Sequence, residues 1–375
     1  MFNSFMVKFT ASFISFILAL GTFFGAYKAP KTQDASKYFD DNIKNVIYLI
    51  GDGMGFNHLE KTKVERNTKL AMDTFEIKGS SMTRSFNKKV TDSAAGGTAL
   101  SSGIRTNNSA VGVYPFDKTP KYSYPKSITE LCMERGMLTG VVTTDETTGA
   151  TPSSFSAHEA NRNNTAELTA DQFDSGINLI WGHSNGVATK SEAQAHGYEY
   201  ITTYDEMMAL NEGSYSYAQF TTQLWNLEQT APYTPTLEQM TMKAIDILDD
   251  TDEGFFLMVE GAHIDKKSHS NLSDEMTESL MAFDNTVETV LEYARAVGET
   301  LVIVTADHET GAITPEGDGY VFTSGDHSAA DVPVLVYGSD KFIANGEKLN
   351  NYEIPIRIAY ILGFDETQFP VAVIV

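Results

Sequence analysis

An α/β fold is what the sequence predicts, a three-layer α/β/α sandwich whose central sheet is mainly parallel and covered by helices on both faces. Three observations carry this. Short unbroken apolar runs recur, and a run without polar alternation reads as a strand buried on both faces. Segments of helical period separate several of these runs. Glycine or acidic residues follow several of the apolar runs directly, as at Gly51-Asp52-Gly53.

In chain order, Phe9 to Ala26 (FTASFISFILALGTFFGA) is apolar, follows Lys8, and ends near the small residues Ala26 and Ala29. The pattern reads as a secretory signal over residues 1–29, which leaves 30–375 as one domain in the periplasm or outside the cell. An uncleaved anchor is the other reading, since ~18 residues is the short limit for spanning a bilayer. Asn45 to Ile50 (NVIYLI) is the first strand. Ser127 to Arg135 reads as a helix that Gly136 terminates, with Cys132 as a small core residue, and Leu138 to Thr144 as the next strand. Thr236 to Leu248 places Leu237, Met240, Ala244, Ile245 and Leu248 on one helical face and leads into Phe255 to Val259 (FFLMV). Glu275 to Ala296 is a long helix with Leu280, Phe283, Val287, Val290, Leu291 and Ala294 along one side. Leu301 to Thr305 (LVIVT) and Val332 to Tyr337 (VPVLVY) complete the strands. The polar region from about 163 to 235 lacks strong periodicity and is expected to form a surface excursion. Neither an internal repeat nor a linker interrupts the chain.

Composition excludes several functions. With 50 acidic and 27 basic side chains, a formal charge of −23, and no basic run longer than a pair such as Lys88-Lys89, the chain offers no surface for nucleic acid. A single cysteine rules out a disulfide within the chain. An anionic substrate must therefore be held by a few local cations, metal ions among them.

In open α/β sheets ligands bind outside the carboxyl ends of the strands, so polar residues just past each strand converge. Asp52 lies two residues past NVIYLI, Glu260 directly follows FFLMV, and Asp307-His308 follow LVIVTA. A second set comprises Asp265 and His269, four apart and so able to share a helical face, and His327 in a Gly-flanked loop (SGDHSA). One acid past a strand is most simply a helix cap. That explains seven acids and imidazoles at one end of one sheet poorly: carboxylates packed together would repel unless neutralised, and divalent cations do that; mixed ligands suit zinc and oxygen ligands suit magnesium. His58, His158, His183 and His196 stand outside this pattern and are given no role.

The segment Thr91 to Leu100 (TDSAAGGTAL) supplies a nucleophile. Ser93 opens an apparent helix whose small residues leave amide N–H groups facing an anion, and a metal would lower the hydroxyl pKa.

Taken together, Asp52-Gly53-Met54-Gly55, Asp92-Ser93-Ala94-Ala95, Ala150-Thr151-Pro152 with Ala157-His158 and Arg162, Glu260 to Lys266 (EGAHIDK) with His269, Thr305 to Gly311 (TADHETG) and Asp326-His327-Ser328 form an ordered set. It resembles the motif set of bacterial alkaline phosphatases from about residue 44 to residue 338. The resemblance implies a serine nucleophile served by two zinc ions and one magnesium. It assigns Asp265, His269 and His327 to one zinc; Asp52, Ser93, Asp307 and His308 to the other; and Asp52, Thr151 and Glu260 to magnesium. It gives Arg162 the task of gripping two phosphate oxygens and Lys266 a water-mediated phosphate contact. The implied activity is hydrolysis of phosphate monoesters to alcohol and inorganic phosphate through a phosphoserine at Ser93, by a homodimer.

One departure stands out. Gly149 occupies the position where relatives commonly carry Asp or His beside the magnesium, so the third ion is expected to bind less tightly, and an acid placed at 149 is expected to tighten it. Two other readings remain in the sequence: a phosphodiesterase or sulfatase-like hydrolase, although the sulfatase Cys/Ser-x-Pro-x-Arg signature is absent, and a non-catalytic exported protein that binds metal or phosphate.

Overall fold

The computed structural model describes residues 34–115, 124–220, 234–249 and 251–370. The expected signal at 1–29 lies outside the described residues. Among the described residues no helix is long and apolar enough to cross a membrane.

Ten strands form the central sheet: β1 (Asn45–Gly51), β2 (Ile77–Met82), β3 (Leu138–Glu146), β4 (Leu179–His183), β5 (Glu199–Ile201), β6 (Ser216–Phe220), β7 (Phe255–Gly261), β8 (Thr300–Thr305), β9 (Val332–Tyr337) and β10 (Lys348–Asn350). Their spatial order is β10-β2-β9-β8-β1-β7-β3-β4-β6-β5. Only β9 runs against its neighbours β2 and β8; the other pairings are parallel.

Side chains of a strand point alternately to the two faces, and here both faces are covered. Ile47, Leu49, Leu257, Val259, Val302 and Val304 enter one apolar core, sealed by the Ser273–Val297 helix through Leu280, Phe283, Val287 and Val290. Val46, Tyr48, Ile50, Phe256, Met258 and Ile303 enter the other, sealed in part by the Glu353–Ile361 helix through Ile354, Ile358 and Ile361. This is why β1, β7 and β8 are apolar without interruption.

Helix ends follow local chemistry. Thr236 and Gln239 cap each other's backbone N–H groups at the start of Leu237–Leu248, and Ser127 with Glu130 does the same for Ile128–Glu134. Gly136, at φ +90°, turns the chain out of that helix.

Within the described residues 163–220, the polar region does not form the expected surface excursion, and 221–233 lie outside the described residues. It contributes β4, β5 and β6, which widen the sheet by three strands and bury Trp181, Tyr217 and Phe220 completely. Specific partners satisfy its polar groups: Trp181 Nε1 donates to Ser216 Oγ (2.9 Å), Tyr217 OH to Gln172 Oε1 (2.7 Å) and Gln219 Nε2 to Thr147 Oγ1 (2.8 Å). Short strands whose polar residues are matched in this way read as hydrophilic in sequence while lying in the core.

Candidate functional site

Parallel register delivers the acidic residues to one rim. Ile50 of β1 lies level with Glu260 of β7 and with Thr305 of β8, and Thr143 of β3 lies level with Glu260. Asp52, two residues past Ile50, and Asp307, two past Thr305, therefore leave adjacent strands at the same height.

Two groups of potential ligands meet there. Asp265, His269 and His327 present atoms within 4.8 Å of one another, as do Asp52, Asp265 and His308. In the first group, His269 Nε2 is 3.4 Å and His327 Nε2 3.5 Å from the Asp265 carboxylate. The far nitrogens of both rings face backbone carbonyls, Nδ1 of His269 on Gly325 O (2.7 Å) and Nδ1 of His327 on Thr91 O (3.0 Å), which aims both Nε2 atoms at the site.

In the second group, His308 Nε2 stands 3.1 Å from Asp307 Oδ2, 3.6 Å from Asp52 Oδ1 and 3.2 Å from Ser93 Oγ. Asp307 is held by its other oxygen, which accepts from the N–H groups of Gly53 (3.2 Å) and His308 (2.9 Å). Asp52 Oδ1 and Asp307 Oδ2 are buried without a hydrogen-bond partner among the described residues. Bare carboxylate oxygens inside a protein are costly, and a cation removes that cost. The residues present thus fit metal ions.

Ser93 opens the Ser93–Ser102 helix. Asp92 caps it by accepting from Ala95 N–H (3.0 Å), and its second oxygen accepts from Ser109 N–H (2.7 Å) and faces Arg162 Nη1 at 3.6 Å. One carboxylate therefore positions both the helix start and the guanidinium. Gly96 and Gly97 are close-approach residues: a Cβ at 96 would sit 3.1 Å from Asp307, and one at 97 2.8 Å from Ser154 and 3.3 Å from Thr151.

The third set surrounds Glu260. It accepts from Thr143 Oγ1, and the buried hydroxyl of Thr151 lies beside it with no other hydrogen-bond partner among the described residues. The Lys266 ammonium is ion-paired with Asp145 near the end of β3. Burial would lower the Lys266 pKa, but Asp145 beside it prevails and raises it. Gly149 has φ −52°, a conformation any residue adopts, yet a Cβ there would lie 2.6 Å from Asp145 Oδ2 and 3.0 Å from Glu146 O. The expectation that an added acid at 149 would simply tighten magnesium meets a place that is already taken.

Electrostatics follow from burial and like charge. Burial, then the carboxylates of Asp307, Asp265 and Glu260, push Asp52 well above the usual carboxylate range. Burial and Asp145 push Glu260 to about 8. Asp265 is held low against burial by His269, His308 and His327, and the hydrogen bond that His269 donates to Asp265 lifts His269 to about 9. Burial lowers His308.

A pH dependence results. Glu260 and His269 have raised pKa values in the metal-free fold, so what they contribute to its stability is present below their unfolded values and is lost as pH rises through about 8 and about 9. A cation needs their unprotonated forms. The gap in melting temperature between metal-loaded and chelated protein should widen from about pH 5 to about pH 8. A gap that stays constant or narrows in calorimetric scans would contradict this reading of the site.

A deeply buried serine at a helix start, flanked by two carboxylate–imidazole groups at the rim of a parallel sheet, defines the class of metal-binding hydrolases. A family model described as alkaline phosphatase matches residues 43–182 and 182–324, and the chain belongs to that family. "Alkaline phosphatase 4" of Bacillus subtilis is 33% identical over 327 residues, 81% of this chain and 69% of that protein. "Alkaline phosphatase 3" of the same organism is 34% identical over 321 residues, 79% and 67%. Among solved structures, alkaline phosphatase from the Antarctic bacterium TAB5 superposes with a TM-score of 0.76 at 29% identity, covering 86% of this chain and 99% of that one. A variant of that enzyme with Mg bound in its M3 site gives 0.74.

The acids and imidazoles singled out from sequence meet at one rim, and three of the four histidines given no role have other partners, while His183 ends β4 level with Glu146 of β3. His58 is buried, with Nε2 3.0 Å from Ser268 Oγ and Nδ1 accepting from Gly55 N–H; His158 meets Glu130 and Gly112 O, and His196 meets Asp174. Cys132 is buried in its helix, where burial raises its thiol pKa. Sequence reasoning missed Asp145 and Thr310. Thr310 Oγ1 donates to Asp265 and faces His308 Nδ1 at 3.2 Å. The rule that found Asp52, an acid at the end of an apolar strand, also applies to Asp145 after LTGVVTT.

Proposed function

We propose that the chain hydrolyses phosphate monoesters through a phosphoserine at Ser93, with two zinc ions and one magnesium. The observation that carries this is the convergence of Ser93 Oγ, Asp307 and Asp52 on His308 Nε2, beside the group of Asp265, His269 and His327. Asp265, His269 and His327 would hold one zinc, Asp52, Asp307 and His308 with Ser93 the other, and Thr151, Glu260 and Asp52 the magnesium. When bound, the ions supply Lewis acidity that lowers the serine pKa, steadies the departing alkoxide and activates water.

The chain's residues do the rest. Ser93 Oγ forms a bond to phosphorus as the ester P–O bond breaks, and the leaving alkoxide takes up a proton. Water then splits the Oγ–P bond, releasing phosphate and restoring the hydroxyl. Arg162, oriented by Asp92, presents its planar fork to two phosphate oxygens, and the helix N–H groups behind Ser93 face the same anion. Lys266 reaches phosphate through water while paired with Asp145. Export rests on the apolar segment 9–26, and the homodimer rests on family resemblance alone.

Arg162→Ala should lower kcat/KM for a monoester about 10- to 100-fold and weaken inhibition by inorganic phosphate, as expected for loss of charged hydrogen bonds. Unchanged phosphate inhibition would remove Arg162 from the site. The function itself is tested by hydrolysis of a chromogenic monoester and a diester with and without chelator: fast, chelator-sensitive monoester turnover is expected. A preference for the diester would favour the phosphodiesterase reading.

A further inference from the structure

Position 149 lacks a side chain, yet the space beside it is filled. The carboxylate of Asp145 lies where a Cβ at 149 would go, 2.6 Å from that point through Oδ2 and 3.0 Å through Cγ. Its other oxygen takes the Lys266 ammonium. Its charge also bears on Glu260, where it is the largest influence after burial. Thr151, only 1% exposed, keeps its hydroxyl beside the Glu260 carboxylate, with no other hydrogen-bond partner among the described residues. Two carboxylates and a buried hydroxyl gathered there form an oxygen-only donor set, the kind that suits a hard cation.

We propose that Asp145 supplies from the end of β3 the carboxylate that position 149 does not, joining Thr151 and Glu260 at the third-cation site, with Lys266 as its counter-ion. The inference rests on the magnesium site proposed above. It reverses the expected consequence of Gly149: the glycine is the room that Asp145 needs, and the site keeps its acid by another route. Lys266 then balances the extra negative charge when the cation is absent.

Magnesium chloride titrated calorimetrically into the zinc-loaded full chain tests this. Asp145→Ala and the near-isosteric Asp145→Asn should each weaken magnesium about 10- to 100-fold, with zinc content and the zinc-saturated melting temperature unchanged. Lys266→Ala should bind magnesium as tightly as wild type or more so, because only the counter-ion is lost. Equal affinities for wild type and both Asp145 variants would overturn the proposal. So would a Lys266→Ala loss matching that of Asp145→Ala, since Asp145 would then act only by holding Lys266. A zinc-loaded wild-type chain that takes up no magnesium would instead overturn the third-cation site itself, and the Asp145 role with it.

Discussion

Ser93→Ala should lose on the order of 10³-fold or more in kcat while the fold and its zinc remain. The hydroxyl is the proposed covalent carrier, and what stands beside Ser93 Oγ is His308 Nε2, itself next to the carboxylates of Asp52 and Asp307 that are proposed to hold metal. The helix should tolerate the change, because its start is secured by Asp92 and not by the serine. Steady-state assays with a monoester, beside circular dichroism and elemental analysis, separate the outcomes. A variant that turns over like wild type would remove Ser93 as nucleophile.

Removal of the ions should have a comparable effect for a different reason. Asp52, Asp265, His308 and His327 come from four separate segments, and two of the carboxylate oxygens at the rim have no hydrogen-bond partner among the described residues. Metal bound only by the folded state adds RT ln(1 + [L]/Kd), about 4 kcal/mol for each ion at a thousandfold excess over Kd. Chelation should therefore abolish turnover and lower the melting temperature, and zinc should restore both. Elemental analysis of active protein should find two zinc ions per chain; active protein free of zinc would defeat the assignment.

Much of this site was legible because it is built at strand ends. A strand buried on both faces is apolar throughout, so the first charged residue past it stands out, and Asp52, Glu260 and Asp307 were found in that way. His327 was less visible, since its two-residue strand pairs with Glu309–Thr310 and has no apolar run to mark it. β4, β5 and β6 were missed because Gln219 and Ser216 look like surface residues until Thr147 and Trp181 are seen opposite them. β2 was missed for a related reason: IKGSSM takes its place in the sheet from its pairing with β9 and β10, not from its own composition. Gly149 was noticed as a missing group, but the spacing of Asp145 from it says nothing about a carboxylate folding back into that space. Such a relation exists only once the turn after β3 is formed, with Gly149 N–H donating to Glu146 O.

The central claim is the covalent step, and trapping tests it most directly. Zinc-loaded enzyme mixed with inorganic phosphate or a monoester and quenched in acid should yield a peptide containing Ser93 heavier by one phosphoryl group. The same treatment of Ser93→Ala should leave that peptide unmodified. An active wild-type enzyme whose Ser93 peptide carries no phosphoryl group under any quench, or whose phosphate appears on a different residue, would contradict the mechanism.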